Sequence, residues 1–217
     1  GQWNYDAANR EPYRGEVPLA AWPFAGHDLR ALWQEILDAG VQTLGEPQAD
    51  ALPWPLTRRE ARAWLADFIQ QRLRHFGRYQ DALVHDEAWL FHSGLSFALN
   101  TKMLSPHEVV HAAEAAWRSD PTLPLASVEG FIRQILGWRE YVRGVYWARP
   151  DFGSVNALQH SRPLPRWFWD GDTGMACVAQ AVRGSLQHAY AHHIQRLMVT
   201  GNIALLLGCH PDEVDAW

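Results

Sequence analysis

Three histidines and an arginine crowd one short stretch, His188-Ala-Tyr-Ala-His192-His193-Ile-Gln-Arg196. Imidazole exchanges a proton near neutral pH, so such a group suits acid–base work on a substrate that gains negative charge. His188 and His192 stand four apart, the spacing that sets two metal ligands on one helical face. No glutamate lies between them and no third ligand is obvious; a satisfied structural pair reads the same way. A second candidate is the turn Phe91-His92-Ser93-Gly94-Leu95-Ser96. Where such a turn opens a helix, backbone N–H groups gather at its positive end, a seat for phosphate, although an ordinary N-cap gives the same pattern. The third is Gly130 to Arg143, where Gln134, Trp138, Arg139 and Arg143 interrupt an amphipathic face with polar groups that need partners if buried. Plain surface arginines are the alternative.

Twelve tryptophans and six tyrosines stand out in a chain of 217 residues. Core packing accounts for most, but indoles beside a planar ligand can stack on it or pass electrons. Net charge is -5, which argues weakly against a nucleic-acid binder. That average hides the stretch between residues 130 and 200, where Arg133, Arg139, Arg143, Arg149, Arg162, Arg166, Arg183 and Arg196 are set against only Glu140, Asp151, Asp170 and Asp172. A local basic face is what phosphate-backbone binding requires, though a GC-rich genome gives the same arginine bias. Cys177 and Cys209 are too few for a disulfide framework, so a reducing, cytoplasmic setting is the default. No apolar run reaches membrane-spanning length and no secretory signal opens the chain.

The elements that must position these groups are helical. Residues 1–25, punctuated by Pro12, Gly15, Pro18 and Pro23, read as an extended arm. Leu29, Leu32, Trp33, Ile36 and Leu37 recur at helical spacing between Asp28 and Asp38. Thr57 and Glu60 form a capping box ahead of a helix burying Ala61, Trp64, Leu65, Phe68, Ile69 and Phe76. Ser105 to Glu108 form a second box with proline at the first helical position. A long helix is expected from Ser127 to about Trp147, with Phe131, Ile135, Trp138, Val142 and Val145 along one face. Another is expected to start near Asp172 and continue past His193. No stretch alternates as a strand does, so the class is all-α.

Taken together, Trp3-Asn-Tyr-Asp6-Ala-Ala-Asn9-Arg10, the His92–Ser96 turn, the Gln134–Arg143 helix, Trp167-Phe-Trp169, Cys177 and His188–Met198 resemble the photolyase/cryptochrome superfamily, specifically its iron–sulfur bacterial branch of (6-4) photolyase type. The resemblance implies an interdomain arm over 1–25 and, over 26–217, the first part of a helical FAD-binding domain incomplete at its C-terminus. By that resemblance, Tyr79 and His92, Ser93, Gly94, Leu95 and Ser96 contact the FAD diphosphate. Gln134, Trp138 and Arg139 line the flavin and lesion cavity; Gln134 and Trp138 stand four apart where many members have three. Arg196 approaches the isoalloxazine. His193, with His192 beside it, corresponds to the histidine that protonates the lesion as the flavin gives up an electron. Trp169 and Trp217 are expected in the electron relay, and Asp6, Arg10 and Arg143 at the lesion or DNA.

Cys177 matches the first of four cysteines holding a four-iron four-sulfur cluster, the others falling beyond Trp217. The activity implied is that of a DNA photolyase, a carbon–carbon lyase using reduced FAD and light on a flipped-out pyrimidine (6-4) photoproduct in damaged DNA. A monomer without membrane attachment is expected. A cryptochrome-type blue-light photoreceptor shares the same motifs, and an inactive helical fragment lacking cofactor is the third reading.

Overall fold

The computed structural model describes residues 9–23, 26–45 and 47–217. In chain order the helices are α1 (Arg30–Asp38), α2 (Arg58–Asp67), α3 (Leu73–Tyr79), α4 (Ser96–Asn100), α5 (Pro106–Ser119), α6 (Leu125–Arg133), α7 (Glu140–Ala148), α8 (Trp167–Asp170), α9 (Ala176–His188), α10 (Asn202–Leu207) and α11 (Pro211–Ala216). Stretches of wider π-helix at Phe68–Arg72, Gln134–Arg139 and Gln195–Gly201 run directly into α3, α7 and α10. Among the described residues there are isolated β-bridges but no strand, so the fold is all-α. No described helix is long and apolar enough to cross a membrane. The chain divides into two compact units, one of Gly1–Ala25 with Pro53–Arg149 and the other of Gly26–Leu52 with Pro150–Trp217.

In the first unit, α2 begins as its sequence dictates. The Glu60 N–H donates to Thr57 Oγ1 at 3.3 Å, and the Glu60 carboxylate accepts the Thr57 N–H at 3.1 Å. Only half of the second expected box forms. Ser105 caps the Glu108 N–H at 3.1 Å, but the Glu108 carboxylate turns to Arg58 at 2.9 Å and Arg62 at 3.2 Å. Two guanidinium partners outcompete one backbone N–H. Helices α3 and α6 cross closely because Gly77 and Gly130 present no side chain there. A Cβ on Gly77 would lie 2.6 Å from Ser127 Cα, and one on Gly130 would lie 2.7 Å from the Asn9 amide nitrogen. Asn9, 2% exposed, donates to the Ala126 carbonyl at 3.0 Å and fastens the arm to this crossing.

The expected single helix after Ser127 is present as α6, a π-turn and α7, but its apolar face does not persist. Phe131 and Ile135 are buried, whereas Trp138 is 52% and Val142 56% exposed. A π-turn holds one residue more than an α-turn, so a stripe aligned before it is rotated after it.

In the second unit, His27 and Leu52 exchange backbone hydrogen bonds at 2.9 and 3.0 Å and close the loop that follows α1. Its core gathers Leu164, Phe168, Ala204 and Cys209, with Trp167, Val214 and Trp217 packed against them. The helix expected to run past His193 is interrupted. Helix α9 ends at His188, Ala189 takes the left-handed conformation at φ +49°, and helix resumes only at His193. His188 and His192 therefore do not share a helical face, and the paired-ligand geometry is lost. Among the described residues no three His, Cys, Asp or Glu side chains gather as a metal site would need.

Candidate functional site

The 92–96 turn is built from beneath by aromatic side chains and one buried charge. Trp64 donates its indole N–H to the Ser93 carbonyl at 2.9 Å. Trp22 stacks on Trp89 at 4.2 Å and meets Trp64 edge-on at 4.5 Å, while Trp54 stacks on Trp64 at 5.7 Å. Gly94 sits at φ +64°, and a Cβ there would lie 2.7 Å from Trp22 Cη2, so only glycine fits. Arg72 is 1% exposed. It pairs with Asp67 at 2.6 Å, donates to the His92 carbonyl at 3.3 Å and lies 5.0 Å over the Trp22 ring. Burial pulls the Arg72 pKa down, and Asp67 opposes that shift.

His92 and Leu95 are buried with Gly94, Ser93 is half-buried, and Ser96 is exposed at the start of α4, whose N-terminus no side chain caps. Tyr79 is a core residue, stacked on Phe91 at 5.1 Å and edge-on to Tyr13 at 5.4 Å. It backs the turn rather than facing outward. Arg72 and Trp64 went unnoticed as support for this turn. The sequence signal was there for Arg72: it stands four residues from both Phe68 and Phe76, on a buried stripe.

Gln134, Trp138 and Arg139 all fall in the second π-stretch. Gln134 is exposed and donates back to the Gly130 carbonyl at 3.2 Å; Arg139 reaches Asn100 Oδ1 at 3.2 Å. Arg143 is exposed and pairs with Glu140 at 3.4 Å, and Arg10 is exposed. Asp6 lies outside the described residues.

The second unit contains a cavity of about 500 Å³. Leu44, Phe168, Leu186, Tyr190, Arg196 and Trp217 contribute to its walls. That size and an apolar, aromatic lining with few polar groups match small-molecule sites in general. They fit a planar heteroaromatic ring such as isoalloxazine, with Arg196 as the cation. Burial pushes the Tyr190 phenol up to about 12, with Arg196 pulling weakly the other way, so it stays a neutral hydroxyl. The segment that forms this wall carries His192, which is half-buried, and His193, which is exposed.

Trp217 donates its indole N–H to the Phe168 carbonyl at 2.5 Å and meets that ring edge-on at 5.2 Å. Trp167 stacks on the other side of Phe168 at 4.4 Å. The aromatic row leading from the cavity wall therefore reaches Trp167, to which the sequence motif assigned no role, while Trp169 is 41% exposed on α8. Cys177 is exposed in the first turn of α9; Cys209 is buried, its thiol 3.8 Å from the Pro163 carbonyl. Two cysteines cannot hold a cluster that asks for four thiolates, so the residues of this chain do not fit one by themselves.

A family model described as deoxyribodipyrimidine photo-lyase-related protein matches residues 1–52. A (6-4) photolyase of Agrobacterium fabrum is 41% identical over 220 residues, an alignment that takes in 100% of this chain and 43% of that protein. An uncharacterized protein of Acanthamoeba polyphaga mimivirus is 32% identical over 111 residues, covering 51% of this chain and 84% of the viral protein. The chain thus spans less than half the length of the bacterial relative. The chain is thus similar along its whole length to a (6-4) photolyase, and its opening residues match the photolyase-related family model.

Proposed function

We propose that the chain forms part of a light-driven DNA-repair flavoprotein acting on a pyrimidine (6-4) photoproduct. The observation that carries this reading is the aromatic cavity of about 500 Å³ in the second unit, walled by Trp217 and by Tyr190 and Arg196, which flank the two histidines. Reduced FAD bound there would supply an electron to the lesion when it absorbs blue or near-ultraviolet light. Arg196 places a permanent cation at the ring, where negative charge is stabilised. Tyr190 stays protonated and offers a neutral hydroxyl. By the family resemblance, Ser93 and Ser96 are expected at a flavin diphosphate, in a turn whose shape Tyr79, His92, Gly94 and Leu95 fix, and Gln134, Trp138 and Arg139 are expected at the flavin and lesion.

The substrate must leave the DNA stack to reach such a pocket, and a damaged, poorly stacked base costs least to extrude. By the family resemblance, Asp6, Arg10 and Arg143 are expected to contact the lesion or DNA. His193 would give up a proton to the charge that develops on the lesion. Trp217 and Trp169 would pass an electron from the surface to a flavin that starts oxidised, bringing it to the reduced state, and Cys177 would be one cluster ligand among others outside this chain.

Two measurements test the reading. The purified chain, mixed with FAD, should develop a bound-flavin absorption spectrum that Arg196→Ala weakens. A chain that never perturbs the flavin spectrum would be a helical scaffold instead. In the full-length protein, light-dependent loss of (6-4) lesions that survives His193→Ala would remove that residue from the chemistry. Photoreduction without any lesion turnover would favour a signalling photoreceptor.

A further inference from the structure

The two adjacent histidines make different hydrogen bonds, and the difference divides their labour. His192 is the last residue before helix resumes, and its carbonyl accepts the Arg196 N–H at 3.1 Å, the first bond of the new helix. That makes it the N-cap residue. Its side chain acts as a cap as well: imidazole Nδ1 accepts the Ile194 N–H at 3.2 Å. The Gln195 side-chain oxygen Oε1 reaches back to accept the His192 N–H at 3.1 Å. This is a variant of the capping box, with histidine in the place normally held by serine or threonine and its ring accepting the N2 amide in place of N3. The same device recurs in this unit at α11, where His210 Nδ1 accepts the Asp212 N–H at 3.2 Å.

A ring nitrogen that accepts a hydrogen bond carries no proton, so the His192 proton sits on Nε2. To become an imidazolium, the form that can hand a proton to a substrate, His192 would have to protonate Nδ1. Two donors would then face each other and the cap would break. His193, next along, is exposed and makes no part of this box.

We infer that His192 is a positioning residue, not the acid: it is the imidazole N-cap that fixes the start of the helix carrying His193 and Arg196. This rests on the proposed function, in which His193 and Arg196 face the ligand and the lesion. The capping geometry leaves His193 as the group that delivers the proton, and it separates two neighbours that composition alone treats as equivalent.

The test is made on the chain itself, labelled with nitrogen-15. Nitrogen shifts of the His192 ring should report an unprotonated Nδ1 and a protonated Nε2 in the neutral range. Amide exchange at Ile194 should speed up roughly five- to tenfold in His192→Ala, the change expected for a lost N-cap. His192→Asn keeps an acceptor in the cap position and should restore slow exchange, whereas His193→Ala should leave Ile194 unaffected. A protonated Nδ1 in His192, an Ile194 amide indifferent to His192→Ala, or failure of His192→Asn to rescue would each overturn the inference. None of these readouts needs flavin. A chain that binds no flavin would sink the repair reading and leave the cap assignment to be decided by its own measurement.

Discussion

Trp64 of α2 donates its indole N–H to the carbonyl oxygen of Ser93 at 2.9 Å, and that single bond ties the helix to the turn at 92–96. The turn is thereby fixed against a floor of stacked indoles. Gly94 lies against the same floor, with no room for a β-carbon and a backbone conformation that side chains resist. Gly94→Ala should cost about 2 kcal/mol, from the left-handed backbone penalty and the clash with Trp22 together. Urea unfolding followed by tryptophan fluorescence measures it directly, because the disturbed residues are the reporters.

Arg72 and Asp67 form the only charged contact beneath that turn among the bonds described above, and one partner is almost completely buried. Removing Asp67 strands a guanidinium away from water. Asp67→Ala should therefore destabilise by about 3 kcal/mol, the lower part of the range for breaking a buried pair, because Asp67 itself keeps some solvent contact. Replacing both residues by apolar ones, Arg72→Met with Asp67→Leu, should recover part of that loss. A double-mutant cycle in urea reads both numbers, and equal costs for the single and double variants would contradict the account.

The capping box at Thr57, the proline-led start of α5 and the all-helical class were legible in the sequence because each depends on local chemistry. What escaped was anything set by non-local competition. Glu108 abandoned its box for Arg58 and Arg62, which lie far away in sequence. The break after His188 has no glycine or proline to announce it; Ala189 adopts a left-handed backbone that its residue type disfavours. The π-turns at 134–139 and 195–201 also leave no compositional mark, yet they fall where two of the motifs lie. Of the candidate site, the turn and the His–Arg segment could be read from residue types, while Arg72, Trp64, Trp167 and Tyr190 needed the packing.

Ala189 supplies the third prediction. Its φ of +49° costs a residue with a β-carbon about 1 kcal/mol, which glycine avoids at the price of a more flexible unfolded chain. Ala189→Gly should raise stability by roughly 0.5 kcal/mol and leave the far-ultraviolet circular dichroism unchanged. A longer helix in its place, seen as increased ellipticity, would mean that the break is not intrinsic to this position.

Tyr190 predicts a pH dependence with a definite sign. Burial raises its phenol from the ordinary value of 10.0 to about 12. The folded form thus holds its proton more tightly than the unfolded chain, so the folded state binds more protons between those values. The stabilising contribution is complete below pH 10 and is lost as pH climbs towards 12. Phenolate absorbance in an alkaline titration should show Tyr190 and the buried Tyr79 ionising late among the six tyrosines, and Tyr190→Phe should remove one phenolate from that late step.

The two thiols should differ sharply in reactivity. Cys177 is exposed in the first turn of α9, open to a reagent in solution. Cys209 is 4% exposed, and burial pushes its thiol up, a shift that Glu213 reinforces and Arg162 opposes. Alkylation of the folded chain should therefore label one cysteine quickly, and Cys177→Ser should abolish that fast phase. The second should react only when denaturant opens the core around Leu164, Phe168 and Ala204. Mass spectrometry of peptides after brief alkylation identifies which thiol carries the label. Fast modification of Cys209 in the native chain would show that this core opens far more readily than its packing implies.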